Sequence, residues 1–227
     1  MRILSIDPST KVFSLAVLNQ GKVLRYCNIR LRKVLSESIM PAIDEILKKS
    51  KLTLQQLDGF AIGLGPGSFT SLRVGLATLK GLNFVLGKPV VGVSSLDLIA
   101  QNVTASASCV INDARRNQVY ACFYEQKNGK LKRCSEHLLQ PIEQVLEGCR
   151  GEMAFVGDAV PLYQKEILHQ AKIQGVEPIF APEKLWYPQA KNIWPLVESR
   201  FKNKQFDDID KLVPLYLYAA DCQVRRT

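Results

Sequence analysis

The chain repeats one order of strands and helices, and this repeat constrains its fold more than any other feature. In each half, three strand-like apolar runs precede a helix and a fourth strand. In the first half these segments are 2–7, 13–19, 22–31, the helix 36–50 and the strand 60–65. In the second half they are 108–113, 118–126, 131–138, the helix 141–151 and the strand 153–160. Two β-β-β-α-β units in one chain predict a duplicated α/β fold with two subdomains.

The remaining segments extend both units. The first continues through a long helix at 68–86 that ends at Gly87, and the second continues through helices at 161–175 and 188–202. Pro195 should kink or break the last helix. An apolar tail follows, which we expect to return to the first subdomain. The predicted divisions are 1–104 and 105–205 for the two subdomains, 206–227 for the C-terminal segment, and the small polar stretch 102–108 as the boundary.

Each unit places an aspartate at the end of its first strand, which resembles the actin, Hsp70 and sugar-kinase superfold. In that superfold two such hairpins hold the phosphates of ATP through Mg²⁺, and their loops are rich in glycine because backbone N–H groups approach the phosphates. Here Pro8 removes one donor, and Ala114 and Arg115 stand where glycines are expected. We therefore expect a degenerate nucleotide site, no ATP hydrolysis by the chain alone and no tightly bound cofactor. The positions of this degenerate site are Asp7, Ser9, Thr10, Asp113 and Arg115.

Residues for other common chemistries are scarce. The two histidines, His137 and His169, lack the H-x-x-x-H spacing of a helical metal pair, and the glycine stretch 63–75 lacks the closing Lys-Ser/Thr of a P-loop. The six cysteines contain no C-x-x-C pair, and no apolar segment has targeting or membrane-spanning length. We expect a cytoplasmic protein with reduced thiols, no catalytic residue and no metal site.

Five segments resemble the TsaB (YeaZ) family in sequence and in order. They are MRILSIDPST, GLGPGSFTSLRVGLATLKGL, GKPVVGVSSLD, DARRNQVYACFY and VPLYL, and together they extend over nearly the whole chain. The resemblance implies a non-catalytic relative of TsaD, the threonylcarbamoyl transferase. It implies that the two proteins, with the ATPase TsaE, install threonylcarbamoyl on the adenosine beside the anticodon of tRNAs that read codons beginning with A. The sequence departs from the family pattern at Leu35, Leu64, Ser71 and Tyr218.

The helix at 68–86 is apolar on most sides, so it should be buried on most sides. One side can cover the sheet, and the other carries small residues that suit close approach by a second helix. The resemblance implies that this helix and helix 36–50 dock on TsaD or on a second copy of this chain; burial inside the domain is the alternative. A nucleotide at the helix N-terminus or at the complex interface also stays open. The candidate partner-binding residues are Leu35, Ile39, Met40, Ile43, Ser71, Leu72, Gly75, Thr78, Leu79 and Leu82.

Charge is distributed unevenly along the chain. The formal net charge is +9, and residues 1–104 hold 13 Lys and Arg against 6 Asp and Glu, which gives +7 for that half. This excess fits an acidic partner, including tRNA reached through the complex, or a solvated basic surface. Two other functions stay open at this point: a small-metabolite kinase of the sugar-kinase type and a glycoprotease-like metallopeptidase.

Overall fold

The computed structural model describes residues 1–32 and 34–218 of the 227. Five strands and two long helices make up the first unit: β1 Arg2–Asp7, β2 Val12–Asn19, β3 Lys22–Arg30, α1 Leu35–Lys49, β4 Gly59–Gly63, α2 Phe69–Leu86 and β5 Val90–Val93. A short helix, α3 Ser95–Ala100, connects the units. The second unit contains β6 Ala107–Arg115, β7 Gln118–Lys127, β8 Lys130–Arg133, β9 Leu138–Gln140, α4 Ile142–Leu146, β10 Glu152–Val156, α5 Val160–Gln174, β11 Glu177–Phe180 and α6 Trp194–Lys202.

The two sheets have the same topology. The first has the order β3-β2-β1-β4-β5, and the second has the matching order β8-β7-β6-β10-β11. In both sheets the first three strands of the unit pair antiparallel with their neighbours. The strands that follow a helix, β4 and β5 in the first sheet and β10 and β11 in the second, pair in parallel. The predicted duplicated α/β fold is therefore confirmed.

The third strand of the second unit differs from its prediction. Residues 131–138 were expected to form one strand, but β8 ends at Arg133 and a separate strand, β9, begins at Leu138. Both strands pair with β7: β8 pairs with the C-terminal part of β7, and β9 pairs with Val119–Ala121 near its start. β7 is ten residues long, so its edge can hold two short partners joined by a turn.

Helix α2 has the ends that the sequence indicates. The Ser68 side chain accepts a hydrogen bond from the backbone N–H of Ser71, and Gly87 ends the helix in the left-handed conformation with φ 58°. At the other end of the chain, Pro195 lies in the first turn of α6, and a separate 3₁₀ turn, Ala190–Asn192, precedes that helix. The predicted helix 188–202 is therefore broken, as Pro195 suggested.

Both faces of the first sheet are covered. Alternate residues of β2, such as Phe13 and Leu15, pack under α1, while Ala16 and Leu18 face the core shared with α6. Helix α6 thus packs against the first sheet, although the predicted division assigned 105–205 to the second subdomain. The boundary itself stays a prediction.

The C-terminal segment runs from the first unit toward the second. The backbone N–H of Leu215 donates to the carbonyl of Leu64 at 2.8 Å, beside β4. The hydroxyl of Tyr218 donates to the carbonyl of Ala114 at 2.8 Å, at the end of β6. The described part of the tail therefore contacts the first sheet and then the second. Residues 219–227 and Lys33 lie outside the described part.

Candidate functional site

Asp7 lies at the carboxyl end of β1 and is fully buried. Its Oδ1 accepts hydrogen bonds from the backbone N–H and the hydroxyl of Ser9, at 2.9 and 2.6 Å. Its Oδ2 accepts from the hydroxyl of Ser95 at 2.7 Å. Burial raises the pKa of Asp7 above its ordinary value, and these hydrogen bonds offset part of that rise. Both carboxylate oxygens are thus occupied by the chain itself.

The glycine-rich turn after β4 packs directly on the Asp7 loop. A Cβ at Gly63 would collide with Asp7 Oδ2, and one at Gly67 would collide with the carbonyl oxygen of Ser9. The backbone N–H of Ser68 donates to that same carbonyl at 2.7 Å. These glycines allow two backbone segments to approach each other closely. The stretch that looks like a phosphate cradle therefore holds a neighbouring loop of its own chain.

Pro8 completes the closure of this loop. A Cβ at Gly75 in α2 would lie 2.5 Å from Pro8 Cγ, so the proline ring rests on the helix where it has no side chain. Thr10 is buried, and its hydroxyl donates to the carbonyl of Val12 at 3.0 Å. The loop 7–10 is thus folded against α2 and its polar groups bond within the chain.

The matching loop of the second unit is also self-paired. Asp113 accepts from the backbone N–H of Arg115 at 2.8 Å, and the Arg115 guanidinium lies 3.1 Å from Asp113 Oδ2. Arg115, Arg116 and Asn117 all have positive φ, which makes a tight turn between β6 and β7. Arg115 is largely exposed. The backbone N–H groups of Asp113 and Arg115 are already hydrogen-bonded to carboxylates of the chain, so an anion here would meet mainly the exposed Arg115 guanidinium.

Sequence reasoning missed Asp158, which lies beside this second loop. Its Oδ1 accepts from the backbone N–H of Asp113 at 3.0 Å. Burial raises the pKa of Asp158, and the N–H bond and the Lys11 ammonium partly lower it. Gly157 before it has φ 127°, and a Cβ there would collide with the Ile111 carbonyl. The Gly157-Asp158 pair directly after β10 was the available signal in the sequence.

A second polar site was also missed. A cleft of about 460 Å³ lies between the two units, and Asp97 on α3 lines it. Asp97 Oδ1 accepts from the hydroxyl of Tyr124 at 2.8 Å, and its Oδ2 lies 3.7 Å from Arg133 Nη1. His137 Nε2 lies 3.1 Å from Arg133 Nη1. These contacts tie α3 to the second sheet.

Within residues 1–32 and 34–218, no three side chains of His, Cys, Asp and Glu are grouped so that they could hold a metal ion. His169 is exposed on α5. None of the helices in this described part has the length and hydropathy needed to span a bilayer.

The candidate partner-binding residues divide into two groups. Six of the ten are buried in this chain: Leu35, Ile39, Ile43, Leu72, Gly75 and Leu79. Four of them, Leu35, Ile39, Ile43 and Leu79, belong to the core under α1 and α2. Gly75 faces Pro8 of the same chain. The other four are half-buried or exposed: Met40, Ser71, Thr78 and Leu82. A partner-binding role for these four stays a prediction.

The open side of α2 carries large apolar groups that the candidate set omitted. Phe84 is 93% exposed and Val85 is 81% exposed. Gly81 and Ala77, one and two turns earlier, are exposed as well, and nothing lies within 4 Å of a Cβ built at Gly81. We call the side formed by Ala77, Gly81, Phe84 and Val85 the open face of α2. Its signal was present in the sequence, since this helix was recognised as apolar on most of its sides.

Comparison with known proteins gives concordant results. A family model described as TsaD, tRNA N6-adenosine threonylcarbamoyltransferase, matches residues 31–223. The tRNA threonylcarbamoyladenosine biosynthesis protein TsaB of Bacillus subtilis (strain 168) is 29% identical over 231 residues, covering 99% of this chain and 97% of that protein. The protein of the same name from Escherichia coli (strain K12) is 28% identical over 228 residues, covering 96% of this chain and 94% of that protein.

The solved structure of YeaZ from Pseudomonas aeruginosa superposes with a TM-score of 0.82 at 24% identity, covering 95% of this chain and 99% of that one. Component A of the (R)-2-hydroxyglutaryl-CoA dehydratase of Acidaminococcus fermentans shares the fold at a TM-score of 0.51 and 10% identity, covering 90% of this chain and 99% of that one. With the family match over residues 31–223 and two full-length TsaB relatives, the chain belongs to the TsaD family, in its TsaB (YeaZ) branch.

Proposed function

We propose that this chain is the non-catalytic partner subunit of the complex that transfers threonylcarbamoyl to the adenosine next to the anticodon of tRNAs reading codons beginning with A. In this proposal it docks on TsaD, works with TsaE, and acts in the cytoplasm where those tRNAs are. The support is the name of its full-length relatives, which are tRNA threonylcarbamoyladenosine biosynthesis proteins TsaB. The matching family model carries the transferase's description, but the local chemistry of this chain favours a supporting role.

The closed Asp7 loop argues against phosphoryl or acyl transfer at the usual site of this fold. Asp7 accepts three hydrogen bonds from Ser9 and Ser95, and Pro8 fills the space over Gly75. A magnesium-bound phosphate would need those carboxylate oxygens and open backbone donors. Binding there would first break contacts that are all buried. A nucleotide that bridges two subunits at their interface remains compatible with this proposal.

The observation that carries the docking proposal is the open face of α2. Phe84 is 93% exposed and the adjacent Val85 is 81% exposed. Contact of these apolar side chains with water is unfavourable, and a partner that covers them would remove it. Gly81 leaves the helix surface flat one turn away, so a second helix can approach closely. Helix α1 packs beside α2 and adds Met40, which is 43% exposed. Two neighbouring helices that each expose apolar side chains suit a helix-on-helix interface.

A docked partner activates an enzyme by favouring one of its arrangements. TsaD, in this proposal, must hold its substrate and the tRNA adenosine together. If this chain binds that arrangement about 3 kcal/mol more tightly than the others, the population shifts roughly a hundredfold. No catalytic group from this chain is needed for that effect.

Gly81→Arg tests the docking proposal. The open space around Gly81 lets the isolated variant fold, and arginine also favours the helix by about 1 kcal/mol over glycine. Its bulk would separate two helices that otherwise pack about 8–10 Å apart. We expect loss of the complex with TsaD, measured by co-purification and analytical ultracentrifugation.

Gln164→Arg, an exposed site on α5, is the matched control and should leave the complex intact. A stable complex with the Gly81→Arg variant would remove α2 from the interface. The same ultracentrifugation run on the isolated chain decides whether α2 also pairs two copies of it.

A further inference from the structure

The first hairpin of the chain carries charge of one sign only. From Pro8 to Ser36 there is no Asp or Glu, while the same stretch holds six cations: Lys11, Lys22, Arg25, Arg30, Arg32 and Lys33. This stretch contains β2 and β3, and β3 is the edge strand of the first sheet. Other parts of the surface mix signs; on α1, Lys48 and Lys49 are paired with Asp44 and Glu45. The hairpin is therefore a distinct positive region.

Strand register places part of this charge on the α6 side of the first sheet. Tyr26 pairs with Ala16 and Arg30 pairs with Val12, without a register shift between them. Ala16 faces the core shared with α6, so Tyr26 and Arg30 point to that side as well. Lys191, in the 3₁₀ turn before α6, lies over the Tyr26 ring with its Nζ 4.8 Å from the ring centre.

Lys11 extends the same surface toward the second unit. Its backbone carbonyl accepts from the N–H of Leu31 at 2.9 Å, which fixes it beside the end of β3. Its Nζ lies 5.5 Å from the centre of the Tyr187 ring. We call the surface formed by Lys11, Arg30 and Lys191, with the ring of Tyr26, the hairpin face; the Tyr187 ring that Lys11 contacts is buried.

The cations of the hairpin face are not held in ion pairs within the described part of the chain, although Lys11 interacts at longer range with the buried carboxylate of Asp158. Across the described part of the chain, no carboxylate lies within ion-pair distance of Lys11, Arg30 or Lys191. Charges on an edge strand commonly prevent sheets from pairing edge to edge. That explanation covers Arg30, but Lys11 and Lys191 lie outside β3. A row of unpaired cations that continues past the edge strand is better explained by an anionic partner.

We propose that the hairpin face contacts the phosphate backbone of tRNA, an inference that rests on the proposed function. RNA phosphates require cations spaced along a surface, and backbone contacts position a nucleic acid without reading its sequence. The hairpin face also lies on the α6 side of the first sheet, opposite α1. A protein docked on α1 and α2 would therefore leave it exposed.

The test uses the triple substitution Lys11→Gln, Arg30→Gln and Lys191→Gln in the full chain, alone and in complex with TsaD. The probe is an unmodified tRNA transcript, and the readout is fluorescence anisotropy across a salt series. With a salt slope of about −0.9 per phosphate contact, three contacts account for roughly a 40-fold fall in affinity between about 50 and 200 mM salt. The variant should bind more weakly and lose about three units of that slope.

A control with the same charge change replaces three exposed lysines of the second unit: Lys130→Gln, Lys165→Gln and Lys172→Gln. The expected result is that this control keeps most of the affinity and slope, while the hairpin-face variant loses both yet still forms the complex with TsaD. Equal losses in the two variants, no tRNA binding by the native complex, or tighter binding to phosphatidylserine vesicles than to tRNA would overturn the inference. Complex formation is measured separately. If the docking proposal is wrong, the native chain itself forms no complex with TsaD, and this result is distinct from a change in tRNA binding.

Discussion

Two glycines of α2 allow a direct test of how the Asp7 loop is closed. Gly75 and Gly81 both lie inside the same helix, so replacing either with alanine gains about 1 kcal/mol of helix propensity. They differ in their surroundings. A Cβ at Gly75 would lie 2.5 Å from Pro8 Cγ and 2.9 Å from Pro8 Cβ, whereas a Cβ at Gly81 meets nothing within 4 Å. The propensity term cancels in the comparison, and the contact with Pro8 remains.

Overpacking of this kind costs about 1–3 kcal/mol. We therefore expect Gly81→Ala to stabilise the chain by about 1 kcal/mol and Gly75→Ala to be less stable than Gly81→Ala by about 1–3 kcal/mol. The free energies of unfolding come from urea titrations followed by circular dichroism. Adding Pro8→Ala to the Gly75→Ala variant should recover part of the loss, since it removes the ring that the new methyl group meets. Equal stability of the two alanine variants would refute the packing of Pro8 on α2, and with it the closed loop.

Three further predictions concern the pH dependence of stability, ATP turnover and the open face of α2. Burial raises the pKa of Asp7, so the folded state binds the Asp7 proton more tightly than the unfolded state does. The stability that this proton binding gives is fully present below the ordinary pKa of 3.8. It is lost as the pH rises through the raised pKa of the folded state. Asp7→Asn should therefore gain stability relative to the native chain as pH rises through that window in urea titrations, and a pH-independent difference would contradict the assignment. The isolated chain should show no steady-state ATP turnover because Pro8 and the Ser9 contacts close the loop, and a rate of even about 1 s⁻¹ in a coupled assay would refute this. Phe84→Ala should weaken the complex with TsaD by at least about 2 kcal/mol, as central aromatic anchors do, in calorimetric titration; an affinity equal to that of the native chain would place Phe84 outside the interface.

The sequence was sufficient for the fold because the repeat is encoded locally. Apolar runs, the Gly87 stop and Asp7 at the end of β1 are all set by neighbouring residues, and the structure has them where the pattern predicts. Asp113 was expected to end its strand in the same way, but β6 continues past it to Arg115. The division of residues 131–138 into β8 and β9 was not predictable in this way. It depends on the length of β7, which offers a long edge, and pairing partners are not encoded in one strand alone.

The site was predicted less completely, since it depends on contacts between distant segments. Loss of the phosphate cradle followed from Pro8, whose missing N–H is a local property. The role of the glycine stretch did not, because it takes the fold to show that Gly75 faces Pro8. The sequence showed that α2 is apolar on most sides but could not say which side faces outward. Its most exposed large residues, Phe84 and Val85, were therefore absent from the candidate set.

The central claim is that this chain activates a transferase by docking through α2 and contributes no catalytic group. Reconstituted tRNA modification measures it most directly, with threonylcarbamoyladenosine quantified by mass spectrometry over repeated turnovers. TsaD with TsaE should modify tRNA repeatedly when the native chain is added, and the Gly81→Arg variant should give no more product than omission of the chain. The Asp7→Asn variant, which leaves the open face of α2 intact, should support activity like the native chain. Equal product formation by TsaD and TsaE without this chain, or full activity with the Gly81→Arg variant, would contradict the claim.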